Sequence, residues 1–324
     1  MNGTRNGLLR DDDASMATRA AWLHYAGGMT QSEVAKRLGL TSLKAHRLIT
    51  KANQEGLVKV FIDGDVAECV ALENELSARH GLDYCEVVPD FDLDNLPLKA
   101  LGMAGAQFLK REIERGEEAL IGVGHGRTLA ASVEYLPRMS AGKTRFVSLL
   151  GGLTRKFSAS PHDVIHRLAE RTGAEAYVMP VPFIANNAED RAVLLGQKGI
   201  GEVFDLVKSA TLLLAGIGTA EVEASLVATG MIEKSEIAEI KADGGAGELL
   251  GHFFDDKGDP VETALADRTL AMGREELESR RIVAVAGGKV KIRAIKSVLA
   301  SRYLSGLITD ERTARALVET SPGG

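Results

Sequence analysis

The stretch Gly122-Val123-Gly124-His125-Gly126-Arg127-Thr128 carries the residue types that hold an anion. Glycines permit a tight turn and let backbone N–H groups come close to a ligand, and a helix starting just after them contributes its positive end. Arg127 adds a fixed charge, and Thr128 can cap the helix or bind the ligand. The plainer alternative is a tight strand-to-helix turn. Two nucleotide motifs are excluded. No Gly-Lys-Ser/Thr follows at Walker A spacing, and the third glycine and ribose-binding acid of the dinucleotide fingerprint are missing. For proton transfer, His125 and His252 are the candidate bases. A lone histidine in a glycine loop more often packs or hydrogen-bonds than catalyses.

A second chemistry sits in Met29–Leu57. Thr30 followed three residues later by Glu33 is a capping-box signature, and Val34, Ala35 and Leu38 form an apolar face behind it. Gly39 ends that helix, and Thr41 or Ser42 caps the next, whose buried side is Ala45, Leu48, Ile49 and Ala52. Ser42, Lys44, His46, Arg47 and Lys51 therefore point outward, as on a recognition helix that offers its first side chains to base edges and its basic ones to phosphates. The alternative is a helical hairpin of an ordinary α/β protein. Charge favours DNA: residues 1–64 hold nine Lys or Arg against six Asp or Glu, a net of +3 in a chain whose total is −6. Half of those acids are the Asp11-Asp12-Asp13 run, read as a solvated tail.

The elements that position these groups follow from the pattern. A first helix is expected over Ser15–Ala26, with Ala20, Ala21, Leu23 and Tyr25 packing on the next two and Trp22 in the core. LVKVFID reads as a wing, and VAECVALENELSARHGL as a helix, through Val66, Val70, Leu72 and Leu76, leading into a second domain or forming a dimer contact. From about Tyr84, apolar runs stop at glycine and alternate with helical stretches. They are EALIGV, TRFVSLL before Gly151 and Gly152, ATLLLAGIG before Thr219, and RIVAVAGG before Lys289. That alternation predicts an α/β domain with a mostly parallel sheet covered on both faces, whose ligand lies outside the carboxyl ends of the strands where their order reverses.

Length and composition agree. The chain has 324 residues, 45% hydrophobic and 26% charged, enough for about two domains. The expected boundaries are 1–64 for DNA binding and 65–324 for effector binding and oligomerisation. No apolar run nears the roughly 18 residues of a membrane span. There is no secretory signal, and Cys69 and Cys85 lack metal-ligand spacing, so the expected setting is the cytoplasm, with no metal or cofactor.

The order GVGHGRTL, GIGTAE, GHFFDDKGDPV and AVAGGKVKIRAIKSVLASRYLSGLITDERTARALV behind a helix-turn-helix resembles the SorC family of sugar-responsive bacterial transcriptional regulators over nearly the whole chain. The resemblance implies a winged helix-turn-helix joined to a Rossmann-like domain related to sugar-phosphate isomerases and deaminases. It implies homo-oligomers, dimers or tetramers, on double-stranded operator DNA of carbohydrate operons, and ligand contacts from Gly124, His125, Gly126, Arg127, Thr128, Gly151, Gly152, Gly216, Gly218, Thr219, Glu221, Asp255, Gly287, Gly288, Lys289 and Lys291. Amides, Arg127 and a lysine suit an anion, and Glu221 or Asp255 suit hydroxyls. Glu221 has the alternative of capping a helix, Asp255 of shaping a surface turn, and Lys291 of standing in solvent. Thr41 to Leu48 keeps only Arg47 of the family's usual recognition run, so the operator sequence does not carry over. Nor is the segment DGGAGELLG, Asp243–Gly251, as glycine-rich in the family, which leaves the sugar's identity open. The expected function is a repressor of a carbohydrate or polyol operon, released by a sugar, polyol or sugar phosphate. An isomerase or deaminase is the alternative, and GIGTAE lacks those deaminases' acid-Gly-His arrangement.

Overall fold

The computed structural model describes residues 5–58, 67–89, 97–152 and 164–319, with the backbone alone for 5–14. Two units divide the chain, Met1–Asp63 and Gly64–Gly324.

In the first unit α1 (Arg5–Tyr25), α2 (Gln31–Leu38) and α3 (Ser42–Gln54) pack around Ala17, Ala20, Ala21, Leu23, Val34, Ala35, Ala45, Leu48, Ile49 and Ala52. The capping box forms: the Thr30 hydroxyl accepts from the Glu33 N–H, and Glu33 accepts from the Thr30 N–H. Gly39 takes the left-handed turn at φ 66°, and the Thr41 hydroxyl caps α3 by accepting from the Lys44 N–H at 3.3 Å.

Two expectations about α1 need correction. The helix starts ten residues before Ser15 and contains the Asp run, because extending a packed helix adds a hydrogen bond per residue and no proline stops it. Trp22 is 64% exposed rather than core, since the small-residue stripe of Ala17, Ala20 and Ala21 faces α2 and α3 and turns Trp22 outward. Tyr25 sits at the rim, its hydroxyl accepting from Asn53 at 2.6 Å. All but the first two residues of the expected wing lie outside the described residues.

In the second unit seven parallel strands run in the order β1-β10-β9-β5-β2-β3-β4. They are β1 (Tyr84–Val88), β2 (Leu120–Val123), β3 (Arg145–Ser148), β4 (Ala176–Tyr177), β5 (Leu212–Ala215), β9 (Arg281–Val285) and β10 (Gly306–Asp310). Alternation sorts the side chains: Leu213, Ile282 and Ala284 enter one apolar layer, and Leu212, Leu214, Val283 and Val285 the other. The second of these layers takes α5 (Leu98–Arg115) and α6 (Arg127–Tyr135); α4 (Ala67–His80), through Cys69, Leu72 and Leu76, packs in the first. After β2 the chain runs outward through β3 and β4, then returns to the other side of β2 as β5. That reversal leaves a crevice at the carboxyl ends of β2 and β5. Beside it, β6 (Gly218–Thr219), β7 (Gly247–Leu249) and β8 (His252–Phe254) form a small antiparallel sheet.

Candidate functional site

The crevice holds a cavity of about 440 Å³. One wall is the loop after β2. Gly124 donates its N–H to the Leu214 carbonyl at 2.9 Å, tying the loop to β5, and Gly126 enters α6 at φ 139°, a conformation closed to side chains with a Cβ. Thr128 does not cap α6. Its buried hydroxyl donates to the Val285 carbonyl at 2.8 Å, which fastens the loop to β9. Arg127 is exposed at the cavity edge, and His125 stands edge-on to the Phe183 ring with centroids 5.7 Å apart.

Two further ionisable groups line the cavity. Lys291 donates to the Ile217 carbonyl at 2.6 Å. Burial and the Arg127 guanidinium push its ammonium down to about 8 from an ordinary 10.5, with Glu248 opposing. Glu248, on β7 and 7% exposed, accepts from the Gly251 N–H at 2.7 Å. Burial drives its carboxyl up to about 7, against the Gly251 and Gly218 amides and the Lys291 charge. Gly218 admits this acid by lacking a side chain, since a Cβ there would lie 2.3 Å from a Glu248 oxygen. A cation pair, a row of amides and a buried acid thus share one space, which can hold a ligand anionic at one end and hydroxylated at the other.

Ten of the sequence-predicted residues line this cavity: Gly124, His125, Gly126, Arg127, Thr128, Gly216, Gly218, Thr219, Glu221 and Lys291. Glu221 also pairs with Lys241. The others lie outside its lining and have packing or turn roles. Gly151 abuts the Val181–Pro182 backbone, 2.3 Å from a Cβ position to the Pro182 oxygen, and the Gly152 N–H reaches the Met179 carbonyl at 3.4 Å. Gly287 leaves room for Asp310, whose buried carboxylate accepts from the Gly288 N–H at 2.9 Å. Lys289 is exposed, and Asp255 shapes its surface turn by accepting from the Lys257 and Asp259 N–H groups. Sequence reasoning missed Glu248 and Leu250, although a single acid within the apolar run Ala246–Phe254 was the signal for the first.

On α3, Ser42, Lys44, His46 and Arg47 are exposed, while Lys51 is half-buried 3.9 Å from Glu55. Thr41 spends its hydroxyl on the cap. Leu43, 61% exposed in the first turn, joins the outward set and suits contact with a thymine methyl.

The family model Sugar-bind, described as "Putative sugar-binding domain", matches residues 64–319. The erythritol catabolism regulatory protein EryD of Brucella abortus (strain 2308) is 60% identical over 310 residues, 96% of this chain and 98% of that protein. The transcriptional regulator LsrR of Enterobacter sp. (strain 638) is 31% identical over 94% of this chain and 93% of its own length. The crystal structure of the full-length sorbitol operon regulator SorC from Klebsiella pneumoniae covers 95% of this chain and 99% of its own, with a TM-score of 0.68 at 26% identity. These relatives are regulators, which removes the isomerase or deaminase alternative. The chain belongs to the SorC family of sugar-responsive bacterial transcriptional regulators.

Proposed function

We propose that this protein controls a polyol catabolic operon in the bacterial cytoplasm as a repressor, and that its effector is a linear four-carbon polyol, erythritol, or that polyol's phosphate. The observation that carries the reading is the cavity at β2 and β5, which faces an amide loop, Arg127 and Lys291 toward Glu248 in a chain 60% identical to an erythritol catabolism regulator. The phosphate would accept hydrogen bonds from the amides of Gly126 to Thr128 and from the two cations, and the hydroxyls would donate to Glu248. Residues 1–64 would read the operator through Ser42, Leu43, Lys44, His46, Arg47 and Lys51, and 65–324 would bind effector and assemble the oligomer, a dimer or tetramer. Occupancy of the cavity would favour one arrangement of that oligomer. Half-sites lie about one helical turn or a multiple apart, so a modest rotation of the reading heads abolishes simultaneous contact.

The test is operator binding, followed by fluorescence anisotropy, during titration with erythritol and with erythritol 4-phosphate. The expected outcome is release of the operator, with the phosphate acting at a concentration at least tenfold below the free polyol, as charge-assisted bonds worth about 1.5–3 kcal/mol require. Equal potency of the two compounds sinks the anion assignment and leaves the regulator. Operator binding indifferent to both compounds sinks the effector reading.

A further inference from the structure

We propose that Leu250 decides which ligands the cavity accepts, by standing across the anion loop and limiting the length of the carbon chain that fits between that loop and Glu248. This rests on the effector reading above. The observation behind it is a conflict between residue type and backbone.

The β7–β8 hairpin pairs Leu249 with His252, so Leu250 and Gly251 form its two-residue turn. Their φ angles are 49° and 90°. Positive φ at both positions is the pattern of a type I′ turn, which favours Asn-Gly or Gly-Gly because a bulky side chain there crowds its own carbonyl. Among the described residues only Leu250 and Arg302 adopt positive φ without being glycine. A leucine in that conformation persists only where its surroundings over-determine it, and such strain gathers at ligand sites.

Both conditions are met here. The turn is held from below by Glu248, whose carboxylate accepts from the Gly251 N–H at 2.7 Å. Gly251 itself packs against Thr269, Ala271 and Phe183. The Leu250 side chain, 5% exposed, lines the cavity, and its Cδ2 lies 3.4 Å from where a Cβ on Gly124 would stand. It therefore meets the first loop glycine of the cavity wall. Asparagine would relieve the turn but bring an amide into the space, and glycine would leave the space open. The leucine suits the cavity and not the turn, so the cavity accounts for it.

The experiment is calorimetry on the full-length protein with glycerol 3-phosphate, erythritol 4-phosphate, ribitol 5-phosphate and sorbitol 6-phosphate. For the wild type, affinity should fall with each carbon beyond four. Leu250→Ala should flatten that series and bring the six-carbon compound at least tenfold closer to the four-carbon one. Where the alanine variant melts below the assay temperature, Leu250→Asn, which suits a left-handed turn, replaces it, and the same ratio should change. A folded variant that keeps the wild-type ratio within twofold overturns the inference, since a merely structural leucine would alter all four affinities together. A wild type that binds the series with no length preference also overturns it while leaving the effector reading intact. A wild type that binds none of the four overturns it, and the effector reading falls with it when free erythritol also fails to bind.

Discussion

At the residue scale, the two titrating groups in the cavity would give the proposed phosphate binding a pH dependence of definite sign. Lys291 titrates at about 8, below its ordinary 10.5, so the free protein loses this positive charge as pH rises through 8. Glu248 titrates at about 7, above the ordinary 4.5, so the cavity gains a negative charge as pH rises through 7. Both changes oppose an anion. Binding of erythritol 4-phosphate should weaken from pH 6.5 to 9.5, with a slope of up to about one decade per pH unit for each group in its own range. Calorimetry across that range checks it, and Lys291→Met should remove the component near pH 8. A flat profile for the wild type would show that neither group faces the bound phosphate. The same reasoning applied to α3 gives a second expectation. Arg47→Ala should cost roughly 1–3 kcal/mol of operator affinity, with relaxed sequence preference for a base contact or a flatter salt slope for a phosphate contact. Thermal stability and effector affinity should stay at wild-type values.

At the element scale, the turn after β9 is held by Asp310 together with Thr313. Asp310, 3% exposed at the end of β10, accepts from the Gly288 N–H at 2.9 Å, the Thr313 N–H at 3.0 Å and the Thr313 hydroxyl at 2.6 Å. Asp310→Ala would leave the buried Thr313 N–H and hydroxyl without this acceptor, while the Gly288 N–H keeps the Thr313 oxygen at 2.8 Å, and should lower stability by about 2 kcal/mol, read as a shift in the denaturant midpoint. Because the same turn leads into Lys291, effector affinity should fall as well. An unchanged midpoint would mean that water replaces the carboxylate at no cost. The strands and glycine turns here were legible from the apolar runs that stop at glycine, and α2 and α3 from their caps. Their contacts were not, because Gly151, Gly152, Gly287 and Gly288 look like the cavity glycines in sequence. They differ in what stands opposite them: the Val181–Pro182 backbone for Gly151, the Met179 carbonyl for Gly152, and Asp310 and Thr313 for the other pair.

At the scale of the whole molecule, a ligand that binds the native state alone should stabilise the effector unit by mass action, about 2.7 kcal/mol at a hundredfold excess over Kd. In the full-length protein, erythritol 4-phosphate should slow hydrogen exchange at Gly124–Thr128, Ile217–Thr219 and Leu249–Gly251, the segments around the cavity. Protection confined to other segments would place the ligand elsewhere. The first unit holds its own apolar cluster, so its amides should exchange at unchanged rates without DNA.

By itself the sequence determined the class of each unit, the caps and turn of the reading helices, and the loop Gly124–Thr128, because those features depend on periodicity and on neighbours a few residues apart. Family membership was legible for the same reason, in motifs whose order survives without knowledge of contacts. The tertiary structure alone decided which acid is buried in the cavity. Glu221, Glu248 and Asp255 are equivalent as residue types, but Glu221 pairs with Lys241, Asp255 closes its own turn, and Glu248 is carried by a short hairpin into the crevice beside Lys291, 43 residues away. It also decided that Trp22 faces outward and that Leu250 bends the wrong way for its type. Both are long-range outcomes: the first depends on which helix face finds a partner, and the second on a carboxylate and a packed wall that hold the turn against its local preference.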